Sequence, residues 1–344
     1  MKIKWGVIGS GGIAQRRTIP GLMQVPDAQL VAVMDVNREL AEQVQNKFHV
    51  PYVYDRVDDL LANEEIDAVY IATPVYLHKD QAIAAARAKK HILIEKPLAL
   101  NMSEAMEIER VVKEENVKLA LGFMMRFHPF HQKMQEMIAK GQIGEIVSCC
   151  ARFSCWFPDN QSWRQTQRLS GGGSLMDMGI HCLDLIQYIT QSPIKSVMAY
   201  SGTKSFHYEV EDSSSVNFEL HNGAYGHVSS HFNIPDSAAL GQIEIYGTQG
   251  SLIAKNTIQQ DEAGTLYLSN QQTQNQYNAM QDATYRYEEI HSSFGNMYAR
   301  QIDAFQSSLQ SGNSIETPIQ DALQIQRVVE AAYQSAQSGR RVEI

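Results

Sequence analysis

The chain has 344 residues, 44% of them apolar, and a formal net charge of −9 at neutral pH. That length exceeds what one hydrophobic core ordinarily organises, so two domains sharing a cleft are expected. The acidic balance, without a clustered basic stripe, argues against nucleic acid or an anionic membrane as partner and for a small molecule.

The first part of the chain alternates short β-branched apolar runs with helical patterns. Ile3 to Ile8, Leu30 to Met34, Ala68 to Ala72, Ile92 to Ile94 and Leu119 to Leu121 read as buried strands, and Arg38 to Phe48, Lys79 to Ala88 and Ser103 to Glu115 as helices between them. Ser103 is the expected N-cap of the last, with Glu104 in its first turn. Strands apolar on both faces and separated by helices predict a parallel, doubly wound α/β sheet. Beyond Gly122 the rhythm changes, with a helix over Phe130 to Ala139, a strand over Ile146 to Phe153 and a helix over Leu175 to Tyr188. Strands then follow one another. Val216, Phe218 and Leu220 alternate with Asn217 and Glu219, and Val228 and Phe232 with His227, Ser229 and His231, the period of an antiparallel sheet with one covered face. The second domain is therefore expected to be α+β with a large, mainly antiparallel open sheet, and the division falls between residues 1–123 and 124–344. The polar face of that sheet is either solvated or covered by another subunit. Gln259 to Asp282 reads as a loop or edge hairpin, and Tyr298 to Leu309 and Ile319 to Ala336 as helices.

No apolar run reaches the roughly 18 residues of a membrane span, and Met1 to Gly9 lacks the basic start and cleavage site of a signal peptide, so a cytoplasmic location is expected. Cys149, Cys150, Cys155 and Cys182 show no C-x-x-C spacing and read as small buried hydrophobes.

Gly9-Ser10-Gly11-Gly12-Ile13-Ala14 has the G-x-G-x-x-A spacing between an apolar strand and a helical stretch. In that setting Gly9 permits the tight turn, Gly11 lets backbone approach a pyrophosphate, and small Ala14 allows close packing of helix on strand, with Gly12 and Ile13 also expected at the cofactor. Asp35 ends the second strand, roughly 20 residues on, where a carboxylate can bind the adenosine ribose hydroxyls of a dinucleotide. It favours NAD over NADP, because it repels a 2'-phosphate. Arg38 is either a solvated residue of a helix's first turn or a phosphate ligand, which keeps NADP open.

Lys96, in Ile94-Glu95-Lys96-Pro97, closes a buried strand at its carboxyl end, the edge of an open parallel sheet where ligands bind. Desolvation favours the neutral amine, so the position suits proton exchange with a substrate hydroxyl. A lysine snorkelling to the surface is the alternative. Asp177 and His181 follow the glycine-rich Ser170-Gly171-Gly172-Gly173-Ser174 at i, i+4 spacing, one helical turn apart, with Asp184 continuing the face. Imidazole titrates near neutrality, so His181 can exchange a proton with an alcohol or carbonyl while Asp177 orients a hydroxyl. Otherwise Asp177 is a helix-start carboxylate and His181 a packing residue. No fourth ligand accompanies them, so no metal site is expected.

Over essentially its whole length the chain resembles the glucose-fructose oxidoreductase and inositol dehydrogenase family, written Gfo/Idh/MocA. The resemblance is carried by Gly9 to Ala14, Ala72-Thr73-Pro74 with His78, Glu95-Lys96-Pro97, Gly122-Phe123 with Arg126-Phe127, Ser170 to Gly173 leading to Asp177 and His181, and Gly247 to Leu252. It implies an N-terminal Rossmann domain, a second domain whose open sheet commonly forms a dimer interface, and a bound nicotinamide cofactor. Lys96 and His181 would then be the acid/base pair and Asp177 their partner at the substrate. Thr73, Pro74 and His78 would form part of the nucleotide wall, with Glu95 near the nicotinamide ribose and Arg126 also at the cofactor. Trp163 and Arg164 resemble the family's cleft-lining loop, unless they serve packing and surface. Val75 and Met124 depart from the pattern, standing where asparagine is frequent.

The expected activity is NAD(P)-dependent hydride transfer to or from a secondary alcohol or ketone of a sugar, sugar derivative or cyclitol. The expected assembly is a homodimer or homotetramer. The alternatives are an NAD-retaining glycosidase that works by transient oxidation and elimination, and a nicotinamide-binding regulator.

Overall fold

A computed structural model describes residues 2–270 and 287–344. Five apolar runs form strands where the pattern placed them: β1 (Ile3–Ile8), β2 (Ala28–Met34), β4 (Ala68–Ile71), β5 (His91–Ile94) and β6 (Leu119–Leu121). A short β3 (Tyr52–Tyr54), too brief to show a period, joins them in one parallel sheet of order β3-β2-β1-β4-β5-β6. A five-residue π-helical turn, Ala14–Thr18, runs into α1 (Ile19–Leu22), followed by α2 (Arg38–Phe48), α3 (Val57–Leu61), α4 (His78–Arg87) and α5 (Met102–Glu114). The N-cap of α5 is Asn101, not Ser103: its side chain accepts from the Glu104 amide at 3.0 Å, and the earlier cap brings Met102 and Ser103 into the helix.

The second sheet has nine strands, β7 (Ile146–Ser154), β8 (Ile194–Gly202), β9 (Ser213–Leu220), β10 (Tyr225–His231), β11 (Gln242–Gly247), β12 (Gly250–Lys255), β13 (Thr265–Ser269), β14 (Glu288–Ile290) and β15 (Val342–Glu343), in the order β14-β13-β12-β11-β7-β10-β9-β8-β15. All its pairs are antiparallel except β10 with β7. Cys149, Ala151, Val216, Phe218, Val228, Ile243 and Ile245 are buried on one face, beneath α6 (Pro129–Ala139) and α8 (Ile180–Thr190). The stretch from 259 onward, expected as a loop or hairpin, contains β13; residues 271–282 of it lie outside the described residues. The four cysteines form no disulfide with one another, and among the described residues no helix is long and apolar enough to cross a membrane.

Packing divides the chain into two units that do not follow a single cut at residue 123. The first comprises Met1–Met124, Thr166–Gly171 and Asn296–Gln326, and the second Met125–Gln165, Gly172–Gly295 and Arg327–Ile344. The first unit thus includes α7 (Gln167–Ser170), α9 (Met297–Ser311) and the start of α10 (Ile319–Ser338). The reason is burial. Phe305 of α9 packs its ring 5.9 Å from that of Trp5, Gln306 accepts from the Trp5 indole at 3.4 Å, and Gln301 donates to Leu121 O at 3.0 Å. Trp5 and Phe305 share the core with Val7, Ile19, Leu22 and Val33. Residues remote in sequence thereby complete the N-terminal sheet's cover. Phe305→Ala should cost about 3–5 kcal/mol through the cavity it leaves; urea denaturation checks this, and an unchanged midpoint would show that α9 is not part of this core.

Candidate functional site

In the first unit, register determines the site. Ile8 of β1 pairs with Met34 of β2 and with Ile71 of β4, and Ile71 pairs with Ile94 of β5. The residues just beyond these partners, Gly9, Asp35, Thr73 and Lys96, therefore stand in a row at one edge. The strand order reverses between β1 and β4, which makes this the switch-point crevice where doubly wound sheets bind ligands.

Gly9 has φ 83°, and a Cβ there would lie 2.9 Å from Thr73 Cγ2, so both conformation and space exclude a side chain. Its amide and that of Ser10 donate to Met34 O at 2.9 and 3.1 Å, which ties the turn to β2. Gly12 has φ 48°, and a Cβ would meet nothing within 4 Å. That open side lies at the start of a helical segment, whose first amides have no acceptors within the helix. A Cβ on Gly11 would be 3.7 Å from Asp35 Oδ2, while Asp35 Oδ1 accepts from the Asn37 amide at 3.0 Å. An open glycine turn with a carboxylate beside it fits a dinucleotide. Arg38 is paired with Glu42 at 2.9 Å and Asp55 at 3.3 Å.

Lys96 is held by its neighbours on both sides. The His78 ring, 1% exposed, places Nδ1 2.9 Å from Pro97 O and Nε2 2.9 Å from Thr73 O, and so joins the end of β4 to the turn after β5. Burial pushes the His78 imidazole down to about 4, against the pull of these carbonyls. The Lys96–Pro97 peptide is cis. Pro74 opens the turn Val75–Leu77, on which α7 packs, and Thr73 donates its hydroxyl to Gln81. Glu95 Oε1 accepts from the Tyr70 hydroxyl, which itself accepts from Thr18 Oγ1 at 2.9 Å. Burial and then the Glu95 carboxylate hold the Tyr70 phenol well above its ordinary value, so it remains a donor. Tyr70 and Thr18 link the strand end at Glu95 to the helical turn after the glycines. The sequence signal of Tyr70 was a hydroxyl inside an otherwise apolar strand.

The second unit holds the other expected residues. A five-residue π-helical turn, Leu175–Gly179, carries Asp177 and leads into α8, which carries His181. The His181 side chain is buried, its ring 6.1 Å from that of Phe153. Asp177 is partly exposed, with Oδ2 3.7 Å from Arg164 Nε, and the Arg164 guanidinium lies 4.4 Å over the Trp163 ring. Trp163, Arg164 and Asp177 thus form one cluster. Asp184, expected to extend the face of Asp177 and His181, is instead buried in a fork with Arg126, Nε to Oδ2 at 3.0 Å and Nη2 to Oδ1 at 2.5 Å, with the guanidinium 5.2 Å from the Tyr188 ring centre. Arg126, expected at the cofactor, is thus buried and paired with Asp184 within this unit, since a buried charge needs a partner of opposite sign. Val75 and Met124 are buried apolar residues. Among the described residues no group of three or more His, Cys, Asp or Glu side chains is arranged to hold a metal ion.

A glycine turn at the switch point of a parallel sheet, with an acid after the second strand, is the arrangement of a dinucleotide-binding site of the kind dehydrogenases use. The comparisons agree. Residues 3–123 match the family model described as an oxidoreductase family, NAD-binding Rossmann fold, and residues 135–344 match that of its C-terminal alpha/beta domain. The chain belongs to the Gfo/Idh/MocA oxidoreductase family and is an NAD(P)-dependent oxidoreductase. It is 26% identical over 343 residues to the 1,5-anhydro-D-fructose reductase of Ensifer adhaerens, covering 99% of this chain and 98% of that one. It is 29% identical over 364 residues to the D-glucoside 3-dehydrogenase of Escherichia coli K12, covering 99% and 97%. The crystal structure of an aldose-aldose oxidoreductase from Caulobacter crescentus, complexed with glycerol, shares the fold with a TM-score of 0.90 at 24% identity, covering all of both chains.

The buried histidines make stability depend on pH. His131, whose ring meets Met125 O at 2.7 Å and Thr257 Oγ1 at 3.0 Å, is like His78 pushed by burial down to about 4. The unfolded chain protonates both near 6.5, so it binds more protons than the folded chain between about pH 6.5 and 4. Stability should fall as pH drops through that window, by up to about 3 kcal/mol per ring. Unfolding free energy measured across it should show a shallower slope for His131→Phe; an identical slope would refute the assignment.

Proposed function

We propose that the enzyme oxidises a secondary alcohol of a sugar, sugar derivative or cyclitol, or reduces the corresponding ketone, with NAD as the preferred hydride carrier. The observation that carries this reading is the row of Gly9, Asp35, Thr73 and Lys96 at one edge of the parallel sheet. Gly9, Gly11, Gly12 and Ile13 would hold the pyrophosphate, Asp35 the adenosine ribose, and Thr73, Pro74, His78 and Glu95 the wall and the second ribose. The Asp35 carboxylate and the pairing of Arg38 with two acids favour NAD over NADP. Sugar chemistry is supported by the relatives, a reductase of an anhydro sugar and a dehydrogenase of glucosides.

The nicotinamide supplies the hydride acceptor or donor. Lys96 and His181 serve as the proton acceptor and donor for the substrate oxygen, and Asp177 orients a neighbouring hydroxyl. Trp163 stacks on the sugar ring, and Arg164, already beside Asp177, donates to its hydroxyls. Incubation with NAD or NADP and a panel of D-glucose, D-xylose, methyl glucosides and myo-inositol should raise absorbance at the NADH band, with NAD the better cofactor. Lys96→Ala or His181→Ala should lower kcat by roughly 10²- to 10⁴-fold with NAD binding retained. Glycoside cleavage without net NADH would favour the glycosidase chemistry, and wild-type turnover in both variants would refute the assignment.

We also infer a cytoplasmic homodimer or homotetramer joined through the open face of the nine-stranded sheet. Four thiols that form no disulfide suit a reducing compartment. Met198, Tyr200, Tyr225 and Tyr246 lie exposed on that one face, as the register from β8 across to β11 requires. A broad exposed patch of this kind is a protein interface more often than a solvated surface. Light scattering should report an oligomer for the wild type and a smaller species for Tyr225→Glu; a monomeric wild type would exclude this assembly.

A further inference from the structure

The glycine run ahead of Asp177 is explained by what stands against it. A Cβ on Gly173 would lie 1.9 Å from the backbone oxygen of Glu211, and one on Gly172 would lie 2.0 Å from the Tyr333 hydroxyl. Glu211 sits just before β9 and is 9% exposed. Its Oε2 accepts from the Gly173 amide at 2.8 Å, its Oε1 from the Leu175 amide at 2.9 Å and from the Tyr333 hydroxyl at 2.9 Å, and its backbone oxygen from the Ser174 amide at 3.0 Å. One residue therefore takes three successive amides at the entry of the π-helical turn. Gly173 O in turn accepts from the Asp177 amide at 2.9 Å, which brings the chain of contacts to the site.

A side chain within the turn could cap these amides more cheaply, since Ser, Thr, Asn or Asp does so without burying a remote charge. Burial pushes the Glu211 carboxyl up from its ordinary value, against the pull of the two amides and Tyr333. What a carboxylate from the segment leading into β9 adds is a fixed distance between β9 and the start of the helix. A local cap cannot supply that.

We propose that Glu211, backed by Tyr333, is a positioning residue that fixes the entry of the helix carrying Asp177 and His181 and so sets where those two groups stand for proton transfer. The proposal rests on the roles assigned to His181 and Asp177 above. Gln at 211 keeps the size, but its amide group must face at least one of the N–H donors that the carboxylate now accepts from.

The test compares wild type, Glu211→Gln, Tyr333→Phe and His181→Ala, using NAD and the panel sugar turned over fastest. Glu211→Gln is expected to lower kcat by roughly 10- to 100-fold, with KM for NAD within about 2-fold and a displaced limb of the pH profile. Tyr333→Phe should give a smaller change in the same direction. Without substrate, the NMR titration midpoint of the His181 ring, assigned by its loss in His181→Ala, should move in Glu211→Gln. A purely structural residue would instead lower Tm and active fraction, leaving kcat per folded molecule, the pH profile and the His181 midpoint as in wild type; that result overturns the proposal. If Glu211→Gln does not fold, Tyr333→Phe decides by the same criteria. Wild-type turnover in His181→Ala would overturn the site assignment and this proposal together, whereas its loss with an unaltered Glu211→Gln enzyme would overturn this proposal alone.

Discussion

Parallel strand pairing governs the nucleotide side of this protein. In a parallel sheet every strand ends at the same edge, so residues far apart in sequence meet whenever their strands share a register. Ile8, Met34, Ile71 and Ile94 are linked in that way. The glycine turn, the Asp35 carboxylate, Thr73 and Lys96 follow them, and none needs a contact of its own to be brought to this edge. The crossover helices maintain the alignment by covering both faces, and α9 closes a gap over Trp5 that the first 123 residues leave.

Within that frame, buried polar groups determine detail. A buried donor or acceptor without a partner costs on the order of 1–3 kcal/mol, so each one specifies a neighbour as well as contributing stability. The His78 ring lies between the carbonyls of Thr73 and Pro97, donating its one N–H to one of them, and holds the turn after β5 against the end of β4. Tyr70 connects Thr18 with Glu95 through the interior of the sheet. In the second unit Asp184 meets Arg126, and Glu211 meets the glycine run. Both helical segments that follow a glycine-rich turn, Ala14–Thr18 and Leu175–Gly179, begin with a π-helical turn. Such turns are uncommon and recur where helices present functional groups.

The parts of the fold that were legible in the sequence are those whose signal is local. Apolar runs on both faces announced β1, β2, β4, β5 and β6, and strict alternation announced β9 and β10, because burial imposes those periods on the sequence itself. The glycine turn and Asp35 were legible for the same reason: backbone approach and an acid at a strand end are requirements of single positions. β3 escaped because three half-exposed residues carry no period, and the cap of α5 was displaced by two residues because Asn101 and Ser103 are both competent caps. Asp184 was read by its spacing with His181, yet its partner lies 58 positions away in the sequence.

The amino-acid sequence by itself therefore determined the two kinds of sheet and the dinucleotide turn, and it singled out Asp35, Lys96, Asp177 and His181 as candidate site residues. Only the tertiary structure decided that α7 and α9 pack with the first unit, that Arg126 pairs with Asp184, and that Glu211 and Tyr333 stand behind the glycine run. The physical reason is range. Periodicity and backbone geometry are written in neighbouring residues, whereas the partner of a buried charge is chosen by which strands and helices lie side by side.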